Sequence, residues 1–358
     1  MTRFLGVTRA VSALFVSVLL AACGGESTES TESTADSPTG LHITGAGATF
    51  PEPLYQEWIG RYNAEQSDAR FSYEGVGSGE GVKRFIAETV DFGASDSAMT
   101  DEQMAQVSRG ARLIPVTAGM VVLAYNLPGI DGELRLPRDV YVDIFKGRIW
   151  KWDDPRIVAA NPDLGLPSKL IQTVVRGDSS GTTFVFTNHL GTIKPAWRNE
   201  GPGVGTLLDW PGGAMTGTGN EGVAHKIKIS HGSIGYVEYF FAKRLGLPMA
   251  TLQNQAGNFV KPDAASGRRT LEAAAAERMP ENLRLFVPDP DAPDAYPIVS
   301  LSWLLLYGAY PEPEKAAALK AAVTWALNEG QPIAEALGYI PLPTNIVSAA
   351  TRALDTIR

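Results

Sequence analysis

The chain has 358 residues, 44% hydrophobic and 20% charged, with a formal net charge of −8, an excess of carboxylates that argues against nucleic acid as a partner. Its single cysteine, Cys23, excludes an intramolecular disulfide. The length beyond residue 40 exceeds what one hydrophobic core usually serves, so two lobes are expected.

Residues 1–22 are predicted to be a lipoprotein signal peptide. Arg3 and Arg9 precede an apolar stretch from Ala10 to Ala22 that is too short to span a bilayer comfortably. The stretch ends Leu20-Ala21-Ala22-Cys23, which resembles a bacterial lipoprotein box whose cysteine becomes the lipidated N-terminus. An uncleaved membrane anchor with an incidental cysteine is the alternative. Residues 23–40 read as a tether, rich in Ser and Thr, with Glu26, Glu29, Glu32 and Asp36 and nothing apolar enough to fold around. Loss of Arg3 and Arg9 takes the charge from −8 to −10, and discounting the four tether carboxylates leaves −6 for the folded region. An anion bound there must be held by local dipoles rather than by a basic field.

The folded part begins with a strand at Leu41-His42-Ile43 and a loop at Gly45–Phe50. A helix is expected from Pro53 to Gln66, where Leu54, Trp58, Ile59 and Tyr62 share a face. A second strand at Phe71 to Tyr73 runs into a loop at Gly75–Gly81, after which Val82, Phe85 and Ile86 again recur at helical spacing. Twice strand, loop and helix is the rhythm of an α/β sheet whose ligands gather at the carboxyl ends of strands. Leu113 to Tyr125 is apolar enough for a buried strand that carries the chain into the second lobe. A helix through Ile144, a turn at Trp150 to Pro155 and a strand at Leu170–Val175 follow; that strand delivers Arg176 and a third loop, Gly177–Thr183, with a helix from Thr182 to Leu190. Gly201 to Gly222 reads as irregular surface loop, and Gly235-Tyr236-Val237 as a buried strand. Ile298 to Tyr307 returns the chain to the first lobe, and Glu314 to Glu329 is a closing helix. The expected division is 41–121 for the first part of lobe I, 122–299 for lobe II and 300–358 for the return, with two crossings that form a hinge.

All three loops are rich in Gly, Ser and Thr and open onto helices, so each leaves backbone N–H groups free for an anion. Several enzymatic and metal-binding patterns compete with that reading. Gly177-Asp178-Ser179-Ser180-Gly181 fits the G-x-S-x-G nucleophile pattern and opens the possibility of a secreted serine hydrolase. Such an enzyme needs a histidine late in the chain, and the last of four is His231. Gly217-Thr218-Gly219-Asn220-Glu221-Gly222 fits a dinucleotide pattern but follows Pro211 to Thr216, which does not read as a strand. His42, His189, His225 and His231 lack metal-ligand spacing, so no metal is expected. Asp96 lies in the small, apolar stretch Phe92-Gly93-Ala94-Ser95-Asp96, where its alternatives are a site carboxylate or an N-cap for the segment after Thr100.

Four separated segments, Thr44 to Pro51, Val90 to Asp96, Arg176 to Thr182 and Gly235 to Tyr239, resemble the periplasmic or lipid-anchored phosphate-binding proteins of ABC-type phosphate importers. The resemblance implies an α/β fold of two lobes with one dehydrated phosphate in the cleft between them, and no enzymatic activity or cofactor. It implies donation from the Thr49 and Phe50 N–H groups, the Thr49 hydroxyl and Ser78. Arg176 would supply a charged fork held by Asp178, Ser180, Gly181 and Thr182 would donate from a helix start, and Asp96 would accept the phosphate's proton. It further implies a monomeric, lipid-anchored receptor outside the cytoplasm that hands phosphate to an ABC-type permease in the cytoplasmic membrane. An acceptor among donors has a physical purpose. Sulfate near neutral pH carries no proton and would set a lone pair against that carboxylate, and sites built around a substrate hydrogen reject analogues lacking it by roughly 10⁴–10⁵. The family usually has Ser-Ser-Gly-Gly where this chain has Ser78-Gly79-Glu80-Gly81. Glu80 either faces solvent, where it suits the helix dipole, or faces the cleft, where it opposes the anion.

Overall fold

The computed structural model describes residues 40–358 apart from 67, 277 and 278. The signal peptide, Cys23 and all but the last residue of the tether lie outside the described residues.

Eight strands form one sheet. They are β1 (Leu41–Gly47), β2 (Ala69–Gly75), β3 (Phe92–Ser95), β4 (Ala111–Asn126), β6 (Gln172–Arg176), β7 (Met215–Gly217), β8 (Ser233–Glu238) and β11 (Val299–Tyr307). Their order is β2-β1-β3-β11-β4-β8-β6-β7, and β5 (Arg135–Leu136), β9 (Thr251–Gln253) and β10 (Phe259–Val260) make a small second sheet. β1 runs parallel to β2 and β3, which places the loops after these strands at one end of the sheet. β6 runs parallel to β7 and β8 and delivers the third loop.

β4 spans both halves. Its residues from Ala111 to Met120 pair with β11, and those from Val121 to Asn126 pair with β8. Nearly every side chain along β4 is buried, without the in-out alternation of a half-solvated strand, because helices cover both faces of the sheet. That is why the sequence shows an unbroken apolar run from Leu113 to Tyr125.

The helix after the first loop spans Glu52–Glu65 and buries Leu54, Tyr55 and Trp58. Trp58 is pinned by an Nε1–H bond to the Gly330 carbonyl at 2.9 Å. The segment after the third strand is capped by Thr100, which forms a capping box with Gln103, so Asp96 is not that helix's N-cap. The structure corrects the expected surface loop at Gly201 to Gly222: β7 lies within it, and Gly219–Ile229 is a helix. A strand of three residues shows no periodicity in sequence; it exists because Met215, Thr216 and Gly217 pair with Val174, Val175 and Arg176.

Candidate anion-binding site

The first two loops are locked together by contacts that only glycine permits. Gly47 has φ +152°, and a Cβ there would overlap the Ala94 carbonyl. Its own carbonyl accepts from the Val76 and Gly77 N–H groups at 2.9 and 2.8 Å. A Cβ on Gly81 would overlap the Gly47 Cα. The ends of β1, β2 and β3 thereby meet at backbone contact, and the helix Ser78–Ile86 starts beside Asp96.

Arg176, the last residue of β6, is buried, with its guanidinium held by Asp178 through an Nε bond of 2.8 Å and a second bond from a terminal nitrogen. Asp178 also accepts the Gly219 N–H at 3.1 Å. Ser180 caps the helix Gly181–Ile193 by accepting the Thr183 N–H at 3.1 Å, and its own N–H donates to the Thr206 carbonyl at 2.8 Å. The start of that helix faces the other two loops: a Cβ on Gly181 would overlap the Ser78 hydroxyl and lie 2.8 Å from Asp96 Oδ2.

Thr49 and Thr182 meet at Asn220, whose side-chain amide donates to both hydroxyl oxygens, at 3.1 and 3.0 Å. A terminal nitrogen of Arg176 reaches the same Thr182 oxygen at 3.5 Å. Phe50 is fixed through its carbonyl, which accepts from the Tyr339 hydroxyl at 2.8 Å. Ser78, Asp96, Arg176, Gly181 and Thr182 are therefore joined by contacts, and Thr49 is linked to Thr182 through Asn220, with Phe50 beside Thr49 and Ser180 beside Gly181. Among the described residues, no protein acceptor takes the N–H of Thr49, Phe50, Gly181 or Thr182. Four N–H donors without acceptors at two helix starts are a candidate cradle for an oxyanion.

The charges are balanced locally. Asp178 stays below the usual carboxylate range: burial alone would raise it, but Arg176's bonds and charge prevail. Asp96 is pushed up to about 7, chiefly by burial, against the lowering effects of Ser302, the Arg176 charge and Ser78. The Ser302 hydroxyl lies 2.7 Å from Asp96 Oδ1 and the Ser78 hydroxyl 3.5 Å from Oδ2. Since Asp178 offsets Arg176, an incoming anion meets mainly neutral dipoles.

The departure in the second loop also has a geometric account. Glu80 turns along its own helix to Arg84 at 3.1 Å and Lys83 at 3.5 Å, so it does not oppose an anion in the cradle. At Gly79 a Cβ would overlap the Ser179 side chain, and the Gly79 N–H donates to the Ser179 carbonyl at 3.1 Å. Glycine is required there because Ser179 fills the space a second serine would need.

A family model described as a PBP superfamily domain matches residues 31–329. The chain is 40% identical to the phosphate-binding protein PstS of Haemophilus influenzae over 309 residues, which cover 86% of this chain and 90% of that protein. The chain belongs to the PstS family of phosphate-binding proteins. The PstS of Methanocaldococcus jannaschii is 36% identical over 95% of this chain and 92% of its own length. Among solved structures, the periplasmic phosphate-binding protein PfluDING bound with phosphate superposes with a TM-score of 0.70 at 23% identity, covering 87% of this chain and 93% of its own. A phosphate-binding protein from Stenotrophomonas maltophilia superposes at 0.71 and 22% identity, covering 87% and 93%. At those identities the solved structures share the fold, the two-lobed α/β architecture of periplasmic binding proteins.

Membership in a family of binding proteins sets the hydrolase alternative aside. In this PstS-family chain the Ser179 hydroxyl is 2.9 Å from Thr206 Oγ1, and among the described residues no histidine contacts it. His189 is buried against the Tyr141 hydroxyl and the Pro288 carbonyl, and burial pushes it down to about 4. No group of three or more His, Cys, Asp or Glu side chains among the described residues is arranged to hold a metal.

Three residues had no role in the sequence reading. Ser302 had no signal, since it lies within the returning apolar strand. Glu238, the last residue of β8, caps the next helix by accepting the Phe240 N–H at 2.9 Å, and burial, with a smaller effect of Asp96, pushes its carboxyl well above the usual range. Asn220 did leave a signal, the G-x-G-x-x-G stretch, set aside because no strand was visible before it.

Proposed function

We propose that this chain is an extracytoplasmic receptor that binds inorganic phosphate, rejects sulfate and delivers its ligand to an ABC-type permease. The observation that carries the reading is Asp96: a buried carboxyl facing a helix start otherwise supplied with donors. A protonated oxyanion satisfies that arrangement, and an unprotonated one leaves a buried acceptor against its lone pairs. Thr49, Phe50, Ser78, Arg176, Gly181 and Thr182 donate, Ser180 adds its hydroxyl, and Asp178 holds Arg176. The 40% identity to proteins named for phosphate binding over most of both chains supports the choice of phosphate.

The lobes in this reading are 41–121 with 300–358, and 122–299. Supporting that division, β4 exchanges β11 for β8 between Met120 and Val121, and β11 pairs only with β3 and β4. A lipid on Cys23 and the tether would keep the monomeric receptor near its permease; no helix among the described residues is long and apolar enough to cross a membrane.

Titration calorimetry with phosphate, arsenate and sulfate tests the reading. The protein is expected to bind phosphate and to leave sulfate unbound at the same concentration; absence of phosphate binding refutes the function. Asp96→Asn is expected to narrow the preference for phosphate over sulfate, and equal discrimination by both forms removes Asp96 from its role.

A further inference from the structure

We propose that Asn220 is a positioning residue that converts the Thr49 and Thr182 hydroxyls into obligate donors and latches the two lobes over the anion; this rests on the phosphate reading above. Asn220 is fully buried at the start of the helix Gly219–Ile229. The Glu238 N–H donates to its Oδ1 at 2.9 Å. A backbone N–H can only donate, so this bond fixes which end of the amide is oxygen and turns the NH₂ toward the threonines.

Thr49 Oγ1 accepts twice, from the Asn220 Nδ2 and from the Asn220 backbone N–H, each at 3.1 Å. Thr182 Oγ1 also accepts twice, from Asn220 Nδ2 at 3.0 Å and from Arg176 at 3.5 Å. A hydroxyl oxygen has two lone pairs and one proton. With both lone pairs engaged, each threonine can offer only its proton, and neither proton has a protein acceptor among the described residues. The start of this helix therefore does not hold the anion itself. Its Gly219 N–H is committed to Asp178 and its Asn220 N–H to Thr49.

The same contacts join the two halves of the sheet. Thr49 follows β1 in one half of the sheet, whereas Thr182, Asn220 and Glu238 belong to the other. Glu238 pairs with Val121, where β4 changes partner. Parting of the halves would break the Thr49–Asn220 bonds, so their loss is expected to act mainly on release of the ligand.

The test compares phosphate affinity by calorimetry and dissociation rate by stopped flow in four proteins: wild type, Asn220→Ala, Thr49→Val and the double variant. Asn220→Ala is expected to weaken binding at least tenfold, with most of the change in the dissociation rate. In the Thr49→Val background the same substitution is expected to cost clearly less than in the wild type, because one of the two hydroxyls it acts through, and the bond between the halves, are already gone. Wild-type affinity in Asn220→Ala overturns the proposal. So does an undiminished tenfold loss in both backgrounds, which marks a merely structural role. If Asn220→Ala does not fold, the cycle is run with the isosteric Asn220→Asp, which keeps an oxygen toward Glu238 and turns an acceptor on the threonines; unchanged affinity there also overturns the latch. Failure of the wild type to bind phosphate is a separate result that removes the phosphate reading itself.

Discussion

Asp96 combines burial, two serine hydroxyls and a facing helix start, and this gives the ligand-free protein a pH signature. Its folded pKa of about 7, raised chiefly by burial, stands above the ordinary aspartate value, so the native state holds a proton that the unfolded chain releases. Stability from this group is complete below pH 4 and is lost as pH rises through 7. The loss is of the order of a few kcal/mol. Denaturant unfolding of the phosphate-free protein from pH 4 to 8 is expected to show this decline, with Asp96→Asn flattening it; equal slopes in both proteins contradict the assignment. Glu238, raised well above the carboxylate range by its burial, adds a decline that Asp96→Asn leaves in place. The carboxylate at 96 was visible in sequence because it sits in a stretch too small and apolar for an ordinary exposed carboxylate. Its partner Ser302, 206 positions away, was not.

At the scale of elements, the three glycine loops hold their places because glycines let strands and helix starts touch through their backbones. A methyl group at Gly81 meets the Gly47 Cα and the carbonyls of Ala46 and Ala94, none of which can rotate away. Gly81→Ala is expected to lower stability by about 1–3 kcal/mol, the usual range for overpacking. Gly60 lies in the helix Glu52–Glu65 with nothing within 4 Å of an added Cβ, so Gly60→Ala is expected to raise stability by about 0.5–1 kcal/mol. Denaturation midpoints moving in the same direction for both variants refute this account. The three glycine loops were legible because each carries its own strand, turn and helix within some twenty residues. The fourth, at Gly217–Gly222, was missed because its strand is defined by pairing with β6 rather than by its own pattern.

For the whole molecule, a ligand that bridges two halves of one sheet stabilises both together. At one hundred times the dissociation constant, phosphate adds about 2.7 kcal/mol. For a chain of this size that corresponds to a rise in Tm of roughly 5 °C. Differential scanning with phosphate is expected to show this rise and sulfate at equal concentration none; equal shifts remove the claimed selectivity. β4 runs through both halves, pairing with β11 along one part and with β8 along the other, and its apolar run did not say which strands it would pair. By itself the sequence determined the local chemistry: where N–H groups would be left open, where Arg176 and Asp96 would stand, and which family shares these segments. Such features depend on residues close along the chain. Tertiary structure alone decided that Asn220 reaches Thr49 from 171 positions away and that Ser302 backs Asp96 from 206. Those outcomes are set by which distant surfaces pack together and which partner a side chain finds first, and no local pattern of residue types records either.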